Sequence, residues 1–346
     1  MTFPNSSNIN PASLNGIQHL GNFISDIQYN SGAIPSNKDG SHDPWDHLEA
    51  VMGLATLGFH QEALRGLEWM KENQNNDGSW FNLYKDNVVL ERNKQSNFST
   101  YMAVAVWHFY LLTNDAAVLK NFWDSIERGM LFALSLQNKN GAIAWNVDEF
   151  GTIDEDYLLT GCSSIAKSIE CAIAICELSN KQDLQSKLTI ARSSLLHAIE
   201  NPEGIFDLKI DRSRFSMDWY YPILSGAKLE NNFEKLLNKI EDVFWIKGFG
   251  IKCVADEPWV TVAETSECSI AFKKLGHNQI AAELLLNAAA IVDESNIPFM
   301  GWQLEEKIYW PEEQPSWTSG ALILAADANN KLTPASDLFT SKQFKS

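Results

Sequence analysis

Carboxylates and large aromatic rings occur together at several points of this sequence, each time just before an apolar segment rich in Ala and Ser. Examples are SHDPWDHLEA at 41–50, SMDWYY at 216–221 and DEPWVTVAETSE at 256–267. Carboxyl groups act as general acids and bases and accept hydrogen bonds from hydroxyl groups, while ring faces stack on sugars or stabilise cations. The pattern therefore predicts an acid/base site lined with aromatic side chains.

The candidate site residues all lie at or just before the start of such a segment. Desolvation among apolar and aromatic neighbours raises the pKa of a carboxyl group, which makes Asp218 or Glu264 the preferred general acid. Asp43 and Asp46 are expected to bind substrate hydroxyl groups, with Trp45 as a stacking platform. The remaining candidates are Glu313 as a third catalytic residue and, as substrate-binding residues, Asp156, Trp219, Tyr220, Trp259, Trp310 and Trp317.

A purely structural role is the competing interpretation for each acid taken singly. Asp, Ser and Asn are favoured helix N-caps, and acids in a first turn complement the helix dipole. Asp46 and Glu49, for example, have the three-residue spacing of a capping box. Several carboxylates that converge on one cavity repel each other, however, so a fold built for stability alone would not gather them. The convergence therefore favours a functional site.

His42 and His47 stand in the same acidic segment as Asp43, Asp46 and Glu49, a composition that a metal ion could use. The five other His residues are scattered, and the sequence has neither an HExxH motif nor a second cluster. Metal sites usually need such a set of spaced ligands. We therefore interpret both His as cap-face or hydrogen-bonding residues and expect no metal site and no cofactor.

A recurring turn signal indicates how the chain positions these residues. Short polar stretches, with Asp-Gly or Asn-Gly in two of them, place Gly32, Gly78, Gly141 and Gly204 at spacings of 46, 63 and 63 residues. The stretches before them have apolar residues at three- and four-residue intervals, typical of a helix with one exposed face. A glycine with positive φ can end a helix and turn the chain back. Each turn is thus predicted to stop an outer helix and lead to an inner one.

Six inner helices are predicted, because six segments are apolar around most of their circumference. They read DHLEAVMGLATLG, STYMAVAVWHFYLL, SSIAKSIECAIAICEL, SMDWYYPILSGA, AETSECSIAFKKLG and SWTSGALILAADA. Repeats of this period indicate an array of helical hairpins. We expect an all-α fold, a single (α/α)6 toroid with its long loops on one face. One domain over 1–346 is predicted, with irregular tails at 1–12 and 335–346, because no Pro/Gly-rich linker divides the chain.

Two short motifs resemble those of known families. QNNDGSW resembles the glutamine-tryptophan repeat of squalene-cyclase and prenyltransferase toroids, with Gln74, Gly78 and Trp80 at the matching positions. The whole chain also resembles bacterial prenyltransferase-like (terpenoid cyclase-like) proteins named for that repeat. Separately, YWPEEQPSWTSGALILAADA resembles the last inner-helix segment of glucoamylase-type six-hairpin glycosidases. This second resemblance implies that Glu313 is the general base.

The two resemblances imply different chemistry, and three functions stay open. A squalene-type cyclase protonates an alkene with a DxDD motif, whereas the nearest stretch here, DEDY at 154–157, lacks the final Asp. A protein prenyltransferase holds zinc through Asp, Cys and His in a spacing that this chain does not show. A glycosidase uses a general acid and a general base around the glycosidic bond. The open functions are acid/base chemistry on a carbohydrate, Asp protonation of an isoprenoid, and non-catalytic binding of a ligand or protein.

Charge and composition limit the partners. The chain has 27 basic and 44 acidic residues, and its net charge of −17 argues against nucleic acid and anionic membrane surfaces. No run reaches the roughly 18 apolar residues that a membrane span needs, and MTFPNSSNINP lacks the pattern of a secretory signal. Five Cys without CxxC spacing suit reduced thiols. We predict a cytoplasmic protein with a small-molecule substrate, a sugar or an isoprenoid, and of unknown oligomeric state.

Overall fold

Twelve α-helices dominate the computed structural model, which describes residue 3, residues 7–227 and residues 233–341. Six helices form an inner ring: α2 (Pro44–Thr56), α4 (Ser96–Thr113), α6 (Leu159–Ser179), α8 (Met217–Ser225), α10 (Val262–Lys274) and α12 (Ser316–Asn330). The other six lie outside them: α1 (Leu14–Ile27), α3 (His60–Glu72), α5 (Ala116–Ser135), α7 (Gln182–Glu200), α9 (Phe233–Lys239) and α11 (Asn278–Ala288). A π-helical turn, Ile240–Phe244, follows α9.

The inner helices close a ring because each of them packs against two others. α2 contacts α4, α4 contacts α6, and the contacts continue through α8 and α10 to α12, which packs back on α2. Eleven of the thirteen residues of α2 are buried, against five of thirteen in α3. This difference separates a helix surrounded by other helices from one with a solvent face. The fold is the predicted (α/α)6 toroid, and the six apolar segments are its inner helices.

Short antiparallel strands lie in the long loops that precede the inner helices. The first sheet contains β1 (Ser41–His42), β2 (Leu83–Lys85) and β3 (Val88–Glu91), and the second contains β4 (Lys94–Gln95), β5 (Asn146–Val147) and β6 (Ile153–Asp154). The third has the order β11–β10–β9–β8–β7, from β7 (Trp245–Ile246), β8 (Gly250–Lys252), β9 (Trp259–Thr261), β10 (Gly301–Gln303) and β11 (Ile308–Tyr309). Strands this short shape loops rather than build a core. They gather at the face where the inner helices begin, which we name the cap face.

The recurring glycines have the predicted positive φ, but they do not end the outer helices. Gly78 has a φ of 91°, whereas α3 already ends at Glu72. The chain then makes a separate turn, which the Gly78 amide closes by donating to the carbonyl of Asn75 at 3.0 Å. The prediction that the glycine stops the helix is therefore wrong. Its positive φ closes the turn that follows.

A glutamine fastens each of the first three glycine turns to the next outer helix. Gln74 Nε2 donates to the carbonyl of Gly78 at 2.8 Å and to that of Ser125 in α5 at 2.9 Å. A Cβ on Gly78 would lie 2.3 Å from the carbonyl oxygen of Arg128, so the close approach requires glycine. We name this arrangement a glutamine clip. It recurs at Gln28 with Gly32 and Glu62, and at Gln137 with Gly141 and Ala191.

Large apolar side chains fill the space between the two rings. Trp80 is fully buried and donates from Nε1 to the carbonyl of Met70 at 2.7 Å. Helix α6 is long and apolar enough to cross a membrane by length and composition, but 72% of that segment is buried inside the ring, as in a core helix. Of the predicted tails, residues 1–2, 4–6 and 342–346 lie outside the described residues. Phe339 packs against the core.

Candidate active site

A cavity with an empty volume of about 500 Å³ lies inside the ring of inner helices. Toward the cap face it is lined by Trp45, Glu49, Tyr101, Tyr221 and Glu267. Further along the inner helices it is lined by Leu224, Ile270, Ala321 and Leu324, together with Phe339 from beyond the end of α12. Ser163, Ser164 and Lys167 of α6 complete its wall. The cavity thus has an acidic, aromatic mouth and a mostly apolar floor.

The first turns of α2 carry three carboxyl groups. Glu49 lines the cavity, whereas Asp43 and Asp46 lie nearer the start of the helix, on its cap-face side. Asp43 is the N-cap of the helix, and its Oδ1 accepts a hydrogen bond from the Asp46 amide at 2.8 Å. Glu49 does not fold back to cap the helix; it is buried and accepts a hydrogen bond from the Tyr101 hydroxyl. The competing interpretation of Asp46 and Glu49 as a capping box therefore does not describe this helix start, where Asp43 is the N-cap. Their three-residue spacing instead places successive acids on one side of the helix.

Glu267 comes from α10, which α12 separates from α2 in the ring, and two tyrosines of α8 hold it. The Tyr220 hydroxyl donates to Oε2 of Glu267 at 2.5 Å, and the Tyr221 hydroxyl donates to Oε1 at 2.6 Å. Tyr221 lines the cavity, whereas Tyr220 is fully buried behind Glu267. Tyr220 was predicted to bind substrate; its position instead suits the orientation of Glu267. On the α2 side, the ring of Trp45 stacks on that of Tyr101, with centroids 3.7 Å apart.

Burial at this end of the ring raises the pKa of Asp43, Asp46, Glu49 and Glu267, which we name the cavity carboxylates. Burial raises the pKa of Glu49 to about 7, and burial with the charge of Glu49 raises that of Glu267 to about 8. Burial also raises the pKa of Asp43, to about 6. Burial and the charge of Asp43 raise the pKa of Asp46 well above its usual value, and Glu267 adds to the increase. Acids that affect one another in this way hold both proton donors and acceptors near neutral pH.

Asp218 lies beside the mouth, next to a groove that continues from the cavity. It is only 6% exposed, accepts a hydrogen bond from the Thr160 hydroxyl, and has Arg212 Nε 3.6 Å from its Oδ2. Burial raises its pKa to about 6, as predicted for a desolvated acid. Asp156 lies in the loop before α6. Burial raises the pKa of Asp207, and the charges of Asp218 and Asp156 raise it further, so the three acids lie within electrostatic reach. The catalytic role of Asp218 stays a prediction.

Like Asp218, the two other predicted catalytic residues are not among the described residues that line the cavity. Glu264 is buried one turn before Glu267 and accepts a hydrogen bond from the Thr261 hydroxyl. Glu313 is half-buried between β11 and α12, where its amide donates to the Pro311 carbonyl at 2.8 Å. The structure brings Glu264 close to the cavity carboxylates, since its charge adds to the pKa of Glu267. The roles of Glu264 and Glu313 in catalysis stay predictions.

The predicted aromatic residues occupy different parts of the cap face. Trp45 lines both the cavity and the groove. Trp259 and Trp310 stack edge to face at the third sheet, with centroids 5.0 Å apart and Trp310 50% exposed. Trp219 is half-buried on α8, and Trp317 is half-buried in the first turn of α12. Of these five, Trp45 is the residue that the structure brings to the cavity.

His42 and His47 are buried between the mouth and the outer ring. His47 Nδ1 accepts a hydrogen bond from the Ile34 amide at 3.2 Å, and its Nε2 lies 3.0 Å from the carbonyl of Gly66. Both imidazole rings contact Trp69, with centroids 4.9 and 4.8 Å from it. Burial lowers the pKa of His42 to about 4 and that of His47 to about 3. The hydrogen bonds agree with the interpretation of His47 as a hydrogen-bonding residue. Both ring nitrogens of His42 are buried and have no hydrogen-bond partner among the described residues.

Glu49, Glu267, Tyr101 and Tyr221 are cavity residues that sequence reasoning did not select as site residues. A signal for the two acids was present: each lies three residues after another acid and inside a helix predicted to be buried. An ionisable side chain beyond the first turn of a buried helix does not act as a cap, so its burial has to be compensated elsewhere. That pattern could have identified Glu49 and Glu267. No local pattern indicates the tyrosine partners.

Several solved structures share this fold at low sequence identity. A wild-type glycosidase structure has a TM-score of 0.72 at 12% identity and covers 93% of this chain and 98% of its own. The GH63 mannosylglycerate hydrolase from Thermus thermophilus, in complex with glucose, has a TM-score of 0.71 at 11% identity, with 89% and 99% covered. A D-mannose isomerase has a TM-score of 0.66 at 10% identity, with 90% and 96% covered. At these identities the likeness shows the toroid fold alone.

Sequence relatives decide between the two families that the motifs resemble. No protein-family model matches the chain. MMP endo-(1,4)-3-O-methyl-α-D-mannosidase of Mycolicibacterium hassiacum is 36% identical over 317 residues, which cover 91% of this chain and 86% of that protein. This supports the glycosidase resemblance and gives no support to the terpenoid-cyclase or prenyltransferase one. The chain belongs to the family of this endo-mannosidase and is a glycosidase-type enzyme that acts on carbohydrate.

Proposed function

We propose that the protein hydrolyses an α-mannosidic bond in an O-methylated mannose oligosaccharide, with the cavity carboxylates as acid and base. The observation that carries the proposal is the meeting of carboxyl groups from α2 and α10 at the mouth of one cavity. Burial raises the pKa of Asp46 on α2, and the charge of Glu267 on α10 adds to the increase, so these two groups lie within electrostatic reach. Glycosidases use two carboxyl groups on either side of the scissile bond.

Glu267 is the general acid in this proposal. Its pKa of about 8 keeps it protonated at neutral pH, so it can give its proton to the glycosidic oxygen as the bond to the anomeric carbon breaks. The hydroxyls of Tyr220 and Tyr221 donate to its two oxygens and stabilise the carboxylate that remains. The leaving sugar thereby departs as a neutral alcohol.

The Asp43 and Asp46 pair supplies the general base. Asp43, with a pKa of about 6, is mostly ionised at neutral pH, while the raised pKa of Asp46 favours its protonated form. The ionised carboxylate takes a proton from a water molecule whose oxygen bonds to the anomeric carbon. Water is thus added across the broken bond, with its hydroxyl on one sugar and a proton on the other. Solvent returns the proton from the pair to Glu267.

The apolar floor supports an O-methylated sugar as substrate. Ile270, Leu324 and Phe339 offer no side-chain hydrogen-bond partner, so a free hydroxyl placed against them would lose its bonds to water without replacement. A methyl ether carries no hydroxyl hydrogen and is stabilised by burial of its methyl group. The relative from Mycolicibacterium hassiacum is, by its name, a 3-O-methyl-α-D-mannosidase. The floor of this cavity suits the same kind of sugar.

The direct test is an assay of the purified protein on three tetrasaccharides. These are an α-(1→4)-linked 3-O-methylmannose chain, its unmethylated counterpart and an α-(1→4)-glucan, with products followed by mass spectrometry. We expect cleavage of the methylated chain with a kcat/KM at least about 10-fold above that of the unmethylated one, since one methyl in an apolar pocket gives roughly that discrimination. No cleavage of any chain would refute the proposal. Equal rates on the first two would refute the methylated substrate alone.

The residues predicted from the sequence give a competing assignment within the same reaction. In it Glu313 is the base, and Asp218 or Glu264 is the acid. The variants Glu313→Gln, Asp218→Asn and Glu264→Gln belong in the same assay as Glu267→Gln. If the first three lose at least about 100-fold in turnover while Glu267→Gln keeps its activity, the competing assignment replaces ours.

A further inference from the structure

A groove with an empty volume of about 690 Å³ runs from the mouth of the cavity along α4, α6 and α8. It shares Trp45, Ser164 and Tyr221 with the cavity, so the two spaces are continuous. Its further walls include the rings of Phe98 and Trp145 and the polar side chains of Gln95, Asn97 and Arg212. Flat rings beside amide and guanidinium groups suit a sugar, whose ring face can stack while its hydroxyl groups form hydrogen bonds.

Polar atoms at this groove are buried without hydrogen-bond partners in the described part of the chain. They are Asn97 Oδ1 and Arg212 Nε, on residues that line the groove, and Oδ2 of Asp218, which is next to Arg212. Asp218 is only 6% exposed, and its 3.6 Å separation from Arg212 is an ion-pair distance but too long for a hydrogen bond. Buried polar atoms are normally hydrogen-bonded, so this concentration of unpaired ones points to a ligand that carries hydroxyl groups.

The charge around the groove favours a neutral ligand. Arg212 is the cationic side chain among the described residues that line it, and its guanidinium faces the carboxylate of Asp218. Asp207 lies within electrostatic reach of both, since each of them shifts its pKa. An anionic group would therefore meet two carboxylates for one guanidinium. A neutral sugar avoids that repulsion and can hydrogen-bond to both signs of charge.

We propose that this groove binds the sugar unit next to the one held in the cavity, so that the enzyme recognises chains of two or more sugars. The inference rests on the proposed function and adds a second subsite to it. Trp145 supplies the stacking surface, and Asn97 and Arg212 supply hydrogen bonds to hydroxyl groups. Trp45 and Tyr221, which line both spaces, lie where the two sugars meet.

Calorimetric binding to the Glu267→Gln protein tests the groove separately from turnover. The probes are methyl 3-O-methyl-α-D-mannopyranoside and the α-(1→4)-linked disaccharide of the same unit. We expect the disaccharide to bind at least about 10-fold more tightly than the monosaccharide. In the Trp145→Ala and Asn97→Ala versions of that protein, we expect this gain to shrink to less than about 3-fold while the monosaccharide affinity stays unchanged. The retained monosaccharide affinity shows that the variants are folded.

Arg214→Ala is the matched control, because Arg214 is an exposed neighbour of Arg212 that pairs with Asp256 and does not line the groove. It is expected to leave both affinities unchanged. Equal affinity for the two probes in the parent protein, or a full disaccharide gain in Trp145→Ala, would overturn the groove proposal. If the parent protein binds the disaccharide but not the monosaccharide, and the Trp145→Ala version binds the disaccharide more weakly, the groove proposal is supported. If neither probe binds, both the groove and the proposed substrate are refuted.

Discussion

The outer wall and the central cavity of this ring both contain polar residues at regular positions. The contacts of the wall residues stabilise the fold, whereas those of the cavity residues destabilise it. On the wall, Gln28, Gln74 and Gln137 each donate two hydrogen bonds to backbone carbonyls and hold one hairpin to the next. In the cavity, burial raises the pKa of Glu267, and the negative charges of Glu49 and Glu264 raise it further. The wall repeats a stabilising contact, whereas the cavity accumulates a destabilising one. A fold keeps the second kind where function requires it.

The wall itself is not uniform. The fourth glycine, Gly204, has a φ of 71°, but a Cβ placed on it would meet nothing within 4 Å. Glu200 stands four residues before it, where the first three turns have glutamine. At a glutamine clip, glycine is therefore required for two reasons, the positive φ and the close contact with a neighbouring helix. At Gly204 only the positive φ requires it. This difference provides a control within the same chain.

The largest effect is expected in the cavity. Glu267→Gln and Asp43→Asn should each lower kcat on the cleaved oligosaccharide by at least about 100-fold, the usual scale for an acid or base group. The melting temperature should stay the same or rise, because a source of repulsion is removed. Steady-state kinetics with calorimetry on the same samples measures both. Glu283→Gln, on the exposed face of α11, is the control. If kcat falls only as far as the melting temperature falls, these acids have a structural rather than a catalytic role.

The wall should show the opposite result. Gly78→Ala is expected to lower the free energy of unfolding by about 3 kcal/mol, from strain at positive φ together with overlap on the Arg128 carbonyl. Gly204→Ala should cost about 1 kcal/mol, from the strain alone. The kcat/KM of the folded fraction should not change in either variant. Urea unfolding measures the difference, and equal costs at the two glycines would contradict the clip.

The pH dependence of stability gives a third contrast. The pKa of Glu267 is about 8 in the folded protein and about 4.3 in an unfolded chain. Because the folded protein binds this proton more tightly, Glu267 contributes stability that is fully present below about pH 4 and is lost as the pH rises through 8. The Glu267→Gln protein should therefore lose less melting temperature than the parent between about pH 5 and 8. Scanning calorimetry across that window tests it. Parallel curves for the two proteins would show that Glu267 is not the acid with the raised pKa.

The smallest effect is expected at the tyrosine behind Glu267. The Tyr220 hydrogen bond lowers the pKa of Glu267, so Tyr220→Phe should move the alkaline limb of the kcat/KM profile to higher pH. Glu49→Gln removes a charge that raises the same pKa and should move that limb to lower pH. A purely structural tyrosine would lower the rate without moving the limb. Shifts in the same direction for both variants would contradict the assignment of Glu267 as the acid.

The ring of helices could be predicted from the sequence because its signals are local and repeated. Apolar segments such as SSIAKSIECAIAICEL are buried in any helical packing, and Gly78 and Gly141 take the positive φ that turns of this kind demand. Helix ends were less predictable. The N-cap of α2 is Asp43 rather than Asp46. Several acids in that stretch have a suitable spacing, and which of them caps the helix depends on the residue at which the backbone changes from extended to helical.

The sequence by itself determined that acids and rings such as Asp43, Trp45 and Asp46 stand where an inner helix begins, because these residues directly precede or begin an apolar helical segment in the chain. Only the tertiary structure decided which acids meet. Glu267 joins the acids of α2 because ring closure brings α10 within electrostatic reach of them and α8 supplies its tyrosines, whereas Asp218 faces Thr160 and Arg212 instead. Electrostatic contact depends on distance through space. No local pattern encodes the distance between helices that lie far apart along the chain.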